Sequence, residues 1–517
     1  MTIGDAPDET VAASPADGET RRQLRGSSLL VAGRGISLTV NFVVQVLIVR
    51  FLTQADYGAF AYALAFVHLA QTFVTFGLDR AITRFVPIYE ERGDYGRLFG
   101  TLVMVGGTLA ALGLGAVVLV IGLQGWLAGS VIDDPEAITL VVILIFLAPI
   151  QALDELLTGL FAVIADARAI FLRRNVIGPL LRLAVVLLLV LTEQGVEFLA
   201  IGYVLSGAAI LVTYAGLLVR QMRQRGLTAR FRRSELTLPV GEVLGFTVPL
   251  LTSDLVGVLM TTTDVLLLGY FHDTVEVGAF RAILPAAMLN QAILSTFGLL
   301  YTPAAARLFA RGDQDGIDHL YWRTAAWLAV FSFPVFLLTS SLAEPITVLL
   351  FGEPYRGSAP YLAILSIGMY FNAALGLNGL TLKVMGRLRY IVILNLAAAA
   401  VNVVLNLLLI PVLGALGAAI ATGATLVAHN ILKQAGLSLA GIRIFERRYV
   451  RLYGVITTAA VAVLAIQVVV APPVPIVLAL AAVASAVVLI VSRRDLDLAD
   501  TFPELQRIPF LRHLGSG

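Results

Sequence analysis

Residues 28–78 read SLLVAGRGISLTVNFVVQVLIVRFLTQADYGAFAYALAFVHLAQTFVTFGL, two apolar segments with a short gap around Asp56 between them. Each segment is near the roughly 20 residues that an α-helix needs to cross about 30 Å of hydrocarbon. The pattern recurs and gives fourteen segments, at residues 28–52, 57–78, 99–126, 138–163, 170–191, 198–219, 240–270, 277–300, 321–342, 361–382, 390–412, 415–431, 452–470 and 474–490. An all-α polytopic membrane protein with 14 transmembrane helices is therefore predicted.

The basic residues fall on one side of this predicted membrane protein. All but five of the 36 Lys and Arg residues lie in the two tails, in every second gap, or at the adjoining segment ends. The exceptions are Arg34, Arg50, Arg182, Arg281 and Arg356, whereas the other gaps carry ten acidic residues. By the positive-inside rule both termini are cytoplasmic, and the chain is a multi-pass protein of the cell membrane.

Composition agrees with a membrane protein and excludes several kinds of site. Apolar residues make up 58% and charged residues 14%, against about a quarter charged in soluble domains. The absence of cysteine excludes disulfides and thiolate chemistry, and the five His residues have no metal-ligand spacing. Lys383 and Lys433 follow no phosphate-binding loop, and the short loops leave no room for a catalytic domain. The sequence predicts neither an enzyme nor a cofactor, a metal site or a nucleic-acid partner.

An internal repeat with an offset of about 220 residues divides the chain. FLTQADYGAF at 51–60 aligns with FHDTVEVGAF at 271–280, and FGL recurs at 76–78 and 297–299. RGD recurs in the same way, at 92–94 and 311–313. Six helices per repeat give both halves the same orientation, so a pseudo-twofold along the membrane normal is predicted. A duplicated scaffold without transport is the alternative.

The repeat defines six regions of the chain. They are a disordered cytoplasmic tail (1–26), an N-terminal six-helix half (27–220), a basic cytoplasmic linker (221–238), a C-terminal six-helix half (239–437), two extra transmembrane helices (438–492) and a cytoplasmic tail (493–517). Transporters built from such repeats hold their substrate between the halves.

Three ionisable residues lie at matching depth on the fourth and fifth segments. Burying a charge in the membrane costs at least about 2.5–3.5 kcal/mol, so each needs a partner, water or a function. Asp154 or Glu155 is predicted to pair with Arg182, and one of these acids is a candidate for ion coupling. The alternatives are an ion pair that only joins two helices, or an Arg182 that binds a substrate phosphate.

Arg34 and Asp254 are 220 residues apart and occupy equivalent positions of the repeat. Because equivalent helices face each other across a twofold axis, a pair between these two residues is predicted to close the cleft. In the alternatives, Arg34 meets an anionic substrate while Asp254 titrates, or Arg34 extends to the inner interface.

Uncharged polar residues inside the segments are further candidates to line the cleft. They are His68 and Gln71 on the second segment, Asn290 and Gln291 on the eighth, and Asn372 and Asn378 on the tenth. Each fits a hydrogen bond between helices equally well.

Several motifs resemble a known family. RFLTQADYGAFAYALAF at 50–66 and FGLDRAITRFVPIYEERGDYGRLFG at 76–100 resemble the polysaccharide and O-antigen flippases of the MATE-like multidrug/oligosaccharidyl-lipid/polysaccharide exporter superfamily. MGRLRY at 385–390 and PVLGALGAA at 411–419 are similar to the family's eleventh and twelfth helices. The resemblance covers residues 27 to about 490 and includes the fourteen-helix count.

The resemblance implies a flippase that moves a polyprenyl phosphate- or pyrophosphate-linked oligosaccharide from the inner to the outer leaflet for surface glycan synthesis. It implies alternating access, coupling to H⁺ or Na⁺, and membrane lipid as a partner. A monomer that associates with glycan assembly proteins is expected. The alternatives are a cation-coupled exporter of drugs or metabolites and a membrane glycosyltransferase or polymerase.

Overall fold

The computed structural model describes residues 35–130, 132, 134–164, 167–493 and 495–496 of the 517-residue chain. Helices make up almost all of these residues, and no strand occurs among them. Within the described ranges, twelve helices are long and apolar enough to cross a membrane, and a shorter apolar helix precedes them. The protein is therefore an all-helical, multi-pass membrane protein, as predicted.

The first part of the chain forms nine helices. They are α1 (Gly35–Phe51), α2 (Gln54–Thr75), α3 (Leu78–Glu91), α4 (Tyr95–Ser130), α5 (Pro135–Leu144), α6 (Leu147–Val163), α7 (Ala167–Phe171), α8 (Gly178–Thr192) and α9 (Val196–Gln224). A π-helical turn, Leu172–Ile177, joins α7 to α8. The segment that follows α9 contains two short 3-10 turns.

The second part forms ten more helices. They are α10 (Val240–Phe271), α11 (Thr274–Ala287), α12 (Leu289–Ala310), α13 (Gln314–Ser341), α14 (Ala343–Phe351), α15 (Ala359–Ala374), α16 (Asn378–Val384), α17 (Leu388–Leu439), α18 (Val450–Val470) and α19 (Val474–Ser492). Within α17, Gly414 has φ 55° and ψ −135°, which interrupts the helix. Helix formation resumes there because a Glu276 carboxylate oxygen accepts the backbone N–H of Ala415 at 2.8 Å.

Helices α2 and α11 start with side-chain caps at equivalent positions of the repeat. The Thr53 hydroxyl accepts the Asp56 N–H at 3.1 Å, and the Asp273 carboxylate accepts the Glu276 N–H at 2.9 Å. Each cap satisfies one backbone donor that lacks a partner within its helix. Thr53 and Asp273 are 220 residues apart, the offset read from the sequence.

These two helices cross with almost no space between their backbones. A Cβ atom at Gly58 would lie 1.6 Å from the Thr274 carbonyl oxygen, and one at Gly278 would lie 2.3 Å from the Gln54 carbonyl oxygen. Glycine is therefore required at both positions, because any side chain would separate the helices. We refer to this contact between Gly58 and Gly278 as the glycine crossing. Buried aromatic and aliphatic residues of α2 and α11 surround it in one continuous core.

Helix α10 packs against helices from both parts of the chain. It contacts α17 on one side and α2 and α3 on the other. Near its start, Glu242 accepts hydrogen bonds from the Tyr89 hydroxyl at 2.8 Å and from Arg97 at 3.1 Å. Helix α10 thus connects the two predicted halves.

The last two helices attach to the bundle through α13. Both α18 and α19 pack against α13. In the loop before α18, Arg443 donates from Nε to the buried Asp318 carboxylate at 2.6 Å, and its backbone N–H donates to the same group at 2.8 Å. These hydrogen bonds raise the pKa of Arg443 above its ordinary value because they stabilise the charged guanidinium.

Candidate functional site: two polar cavities

The first cavity lies among the N-terminal helices and has a volume of about 650 Å³. Residues of α1, α3, α6, the π-helical turn, α8 and α9 line it. Its charged lining residues are Asp79, Arg80, Asp154, Glu155, Arg173, Arg174 and Arg182. We call it the arginine cavity, because four arginines meet three carboxylates inside a bundle of membrane-spanning helices.

The π-helical turn places two of these arginines. A π-helix has a wider turn than an α-helix and is often found at functional sites. Here it runs through Arg173 and Arg174 and ends where Gly178 and Pro179 begin α8. Pro179 is tolerated because the first helical positions have no N–H partner to lose. Both arginines line the cavity as a result.

Asp154 forms an ion pair with Arg173, so the predicted pair between Asp154 or Glu155 and Arg182 is wrong. Arg173 also donates to the Thr158 hydroxyl at 3.3 Å and lies 4.9 Å from the centre of the Tyr214 ring. The prediction failed because helix formation resumes at Ala167, only four residues after α6 ends at Val163. This short connection places Arg173 beside Asp154 of α6, whereas Arg182 lies more than two turns later in the chain, on α8.

Arg174 and Arg182 have no carboxylate within ion-pair distance in the part of the chain that the structure describes. Both are exposed and line the arginine cavity. Arg182 lies 5.9 Å from the centre of the Tyr203 ring, which is its aromatic neighbour on α9. Two guanidinium groups are therefore available to an anionic ligand.

Glu155 lines the same cavity but has a neutral partner. It accepts a hydrogen bond from the buried Gln71 amide at 3.0 Å, which joins α6 to α2. His68, one turn earlier on α2, is exposed. Neither Gln71 nor His68 is a lining residue of the cavity, although both were predicted to line a cleft.

Asp254 of α10 pairs with Arg80 of α3 at 2.5 Å. The structure thus gives Asp254 a partner from the other predicted half, although a different one from that expected. Arg34 lies outside the described residues, so its predicted contact with Asp254 stays a prediction. The ion pair joins α10 to the wall of the arginine cavity, because Arg80 is one of the lining residues.

The second cavity lies among the later helices and has a volume of about 540 Å³. Residues of α12, α15, α16 and α17 line it. We call it the amide cavity, after the polar side chains among its lining residues: Gln291, Ser295, Thr302, Asn372, Asn378, Lys383, Asn395 and Lys433. Among them, Gln291, Asn372 and Asn378 are residues that the sequence predicted to line a cleft.

A chain of four amides connects the walls of this cavity. Asn372 donates to Gln291 at 2.9 Å, Asn430 donates to Asn372 at 2.7 Å, and Asn378 donates to Asn430 at 3.1 Å. Asn290, which was also predicted to line a cleft, is instead fully buried and is not a lining residue. The hydrogen bonds fix the orientation of the amides, as a fully connected polar network does.

Sequence reasoning missed several residues of these cavities. Arg173 and Arg174 were grouped with the charges of an inner loop, and Asn430 was not singled out. Lys383 and Lys433 were noted only for lacking a phosphate loop. One signal was available: they are the only lysines of the chain.

Long apolar helices that enclose polar cavities define the class of protein, a multi-pass membrane protein. Residues 47–360 match the sequence profile of a family described as polysaccharide biosynthesis protein, and the chain belongs to that family. An uncharacterized membrane protein of Methanocaldococcus jannaschii is 22% identical over 426 residues, 78% of this chain and 81% of the relative. Stage V sporulation protein B of Bacillus subtilis is 26% identical over 188 residues, 36% of each chain.

Solved structures share the fold. The lipid II flippase MurJ in an inward closed conformation superposes with a TM-score of 0.71 at 13% identity, covering 90% of this chain and 99% of MurJ. An inward-facing multidrug resistance transporter of the MATE family has a TM-score of 0.60 at 16% identity, covering 79% and 94%. The match to the polysaccharide biosynthesis family confirms the family resemblance read from the sequence, and these structures show that the chain has the same fold.

Proposed function

We propose that this protein is a flippase that moves a polyprenyl phosphate- or pyrophosphate-linked oligosaccharide from the cytoplasmic to the outer leaflet. The observation that carries the proposal is that Arg174 and Arg182 line the arginine cavity and form no ion pair with any carboxylate that the structure describes. Membership of a polysaccharide biosynthesis family and the fold shared with a lipid II flippase support the same function.

The chemistry of the arginine cavity suits a phosphate head group. A guanidinium presents planar donors that match phosphate oxygens and stays charged at every physiological pH. The polyprenyl chain can remain in lipid, because hydrocarbon is its preferred solvent. Only the phosphate and the sugars then need shelter, and the two cavities supply charge and amide groups for them.

The proposed topology has fourteen transmembrane helices and two related halves with both termini in the cytoplasm. It counts the shorter helix Gly35–Phe51 as a span and divides Leu388–Leu439 at Gly414. The reciprocal contacts of the glycine crossing support a twofold relation, because each glycine meets the same kind of carbonyl on the other helix. Alternating access then requires α2 and α11 to separate and rejoin.

Glu155 is the acid that we assign to ion coupling. Asp154 and Asp254 form ion pairs with Arg173 and Arg80, whereas Glu155 forms no ion pair among the described residues and accepts a hydrogen bond from the Gln71 amide. A carboxylate in that setting can exchange a proton or bind Na⁺ without breaking an ion pair. Glu155→Gln is expected to remove the dependence of transport on an imposed gradient while leaving substrate binding intact.

Binding and translocation of a defined lipid test the proposed function. Binding is measured as the rise in melting temperature of the purified full-length protein when polyprenyl pyrophosphate is added. Translocation is measured in vesicles that contain the protein, as the movement of a fluorescent oligosaccharide on the same carrier between the leaflets. We expect Arg174→Gln and Arg182→Gln each to weaken binding about tenfold or more and to slow translocation, since each removes a charge-assisted hydrogen bond. Arg223→Gln, an exposed change on α9 outside the cavity, is the matched control.

The same assays separate the competing functions. Equal protection of the wild-type protein and both cavity variants by polyprenyl pyrophosphate would contradict the proposal. Export of small cationic drugs without any response to the lipid would identify a drug exporter. Formation of a new sugar linkage in the vesicles would identify a glycosyltransferase.

A further inference from the structure

The only two lysines of the chain line the amide cavity. Lys383 lies one residue before the end of α16, and Lys433 lies on α17, six residues before that helix ends at Leu439. Every other basic residue is an arginine or a histidine. The positions of the two ammonium groups and the residues around them indicate which ligand they could bind.

The Lys433 side chain extends from α17 toward α16. Its Cδ, Cε and Nζ atoms lie 3.8, 3.7 and 3.9 Å from the place where Gly379 would carry a Cβ. The end of the Lys433 side chain therefore packs against the start of α16 and does not extend away from the bundle.

No acidic residue lines the amide cavity, so the lysine charges are uncompensated there. Within the described part of the chain, neither ammonium group is within ion-pair distance of a carboxylate. Two like charges in one cavity repel each other, and an anionic ligand would relieve that repulsion.

The neighbouring groups indicate which anion fits. Gln291 and Asn372 line the cavity and present amide groups that match sugar hydroxyls, and the buried Asn430 holds Asn372 in place through a hydrogen bond. A lysine acts as a compact point charge that pairs with an anion without requiring one fixed geometry. Because the neighbouring amides suit a sugar, an anion carried on the sugar itself, a carboxylate, fits the amide cavity.

Resting on the proposed function, we propose that the amide cavity binds an acidic sugar of the lipid-linked glycan, with its carboxylate at Lys383 and Lys433 and its hydroxyls at the amides. The substrate class is then an acidic rather than a neutral oligosaccharide. The two cavities divide the substrate between them, one for the carrier phosphate and one for the charged glycan.

Calorimetry on the purified full-length protein tests this proposal. The probe is a soluble hexuronate tetrasaccharide, and the comparison ligand is the same tetrasaccharide with each carboxylate reduced to a hydroxymethyl group. We expect the acidic form to bind at least about tenfold more tightly, and the preference to fall to near one in Lys383→Met/Lys433→Met. These changes should not prevent folding, because no described carboxylate loses a partner. Arg387→Gln removes a nearby exposed charge outside the cavity and should leave the preference unchanged.

Three results would overturn the inference: equal affinity for both tetrasaccharides, an acid preference that persists in the double lysine variant, or a loss of the preference whenever phosphatidylglycerol is added. The last would show that a lipid head group occupies the lysines. Protection by polyprenyl pyrophosphate is measured on the same lysine variants. If polyprenyl pyrophosphate still protects the protein while the wild-type protein shows no preference for the acidic tetrasaccharide, the flippase proposal stands and only the proposal of an acidic substrate is wrong.

Discussion

Replacing Arg173 by Gln should destabilise the protein more than any other single arginine change in the arginine cavity. The Arg173 and Asp154 side chains are 16% and 18% exposed and form an ion pair. Gln is too short and carries no charge, so Asp154 would remain as an unpaired carboxylate. Removing the arginine therefore leaves the Asp154 carboxylate without its ion-pair partner.

The magnitude follows from the burial of the pair. Breaking a buried ion pair from one side typically costs about 3–5 kcal/mol, because the remaining charge stays in a low-dielectric environment. The hydrogen bond to Thr158 is long at 3.3 Å and adds little, and the Tyr214 ring adds about 0.5–1 kcal/mol as a cation–π partner. The expected loss is about 3–5 kcal/mol unless Asp154 takes up a proton.

A double-mutant comparison isolates this effect. Apparent melting temperature and yield are measured in detergent for Arg173→Gln, for Asp154→Asn and for the double variant. Arg173→Gln alone should show the largest loss, and adding Asp154→Asn should restore most of it. Arg174→Gln, the adjacent arginine without an ion pair, should fold like the wild-type protein and serves as the control.

Two outcomes would refute this reasoning. A normally stable Arg173→Gln protein would mean that Asp154 does not depend on its partner. An additive loss in the double variant would mean that the two side chains do not interact. A strong destabilisation by Arg182→Gln that Asp154→Asn reverses would restore the pairing first expected from the sequence.

Three further predictions concern other parts of the molecule. Gly58→Ala should lower stability by about 1–3 kcal/mol and slow transport, because its Cβ would overlap the Thr274 carbonyl, whereas Gly106→Ala, with no neighbouring atom within 4 Å, should have no effect. Arg80→Gln and Asp254→Asn should give non-additive losses of transport in a double-mutant cycle, and additive losses would show that the ion pair is not used. Accessibility tags at Arg225 and Arg447 should be found inside the cell, and tags at Asp134 and Pro472 should be reachable from outside. A tag at Arg225 or Arg447 that is reachable from outside would contradict the predicted orientation.

Much of the fold was available from the sequence because helix length and charge distribution are local properties. The apolar segments predicted membrane-spanning helices, and the motif at 51–60 and 271–280 correctly marked two equivalent helix starts with caps at Thr53 and Asp273. The exact number of spans was less accessible. The sequence separates two apolar segments between residues 412 and 415, and the structure has a kink at that place within α17, at Gly414.

Side-chain pairing was predicted less well, because it depends on the length of turns and on helix rotation. Arg173 was missed since the connection between α6 and α7 is shorter than the apolar segments suggested. Gln291, Asn372 and Asn378 could be singled out as polar residues in apolar helices, but their shared cavity required Asn430 as the link. Lys433 could not be placed from sequence, because its position depends on the absence of a side chain at Gly379.

The glycine crossing has a consequence for how the protein responds to its ionic surroundings. Its contacts are steric and involve backbone carbonyls, so dissolved salt does not weaken them. Near the start of α10, by contrast, exposed charges hold the helices through the ion pair of Arg97 with Glu242. Coulombic attraction of this kind falls as the Debye length shrinks to about 8 Å at physiological ionic strength and further above it. Raising the salt concentration is therefore expected to weaken the contact at the start of α10 and to leave the glycine crossing unchanged.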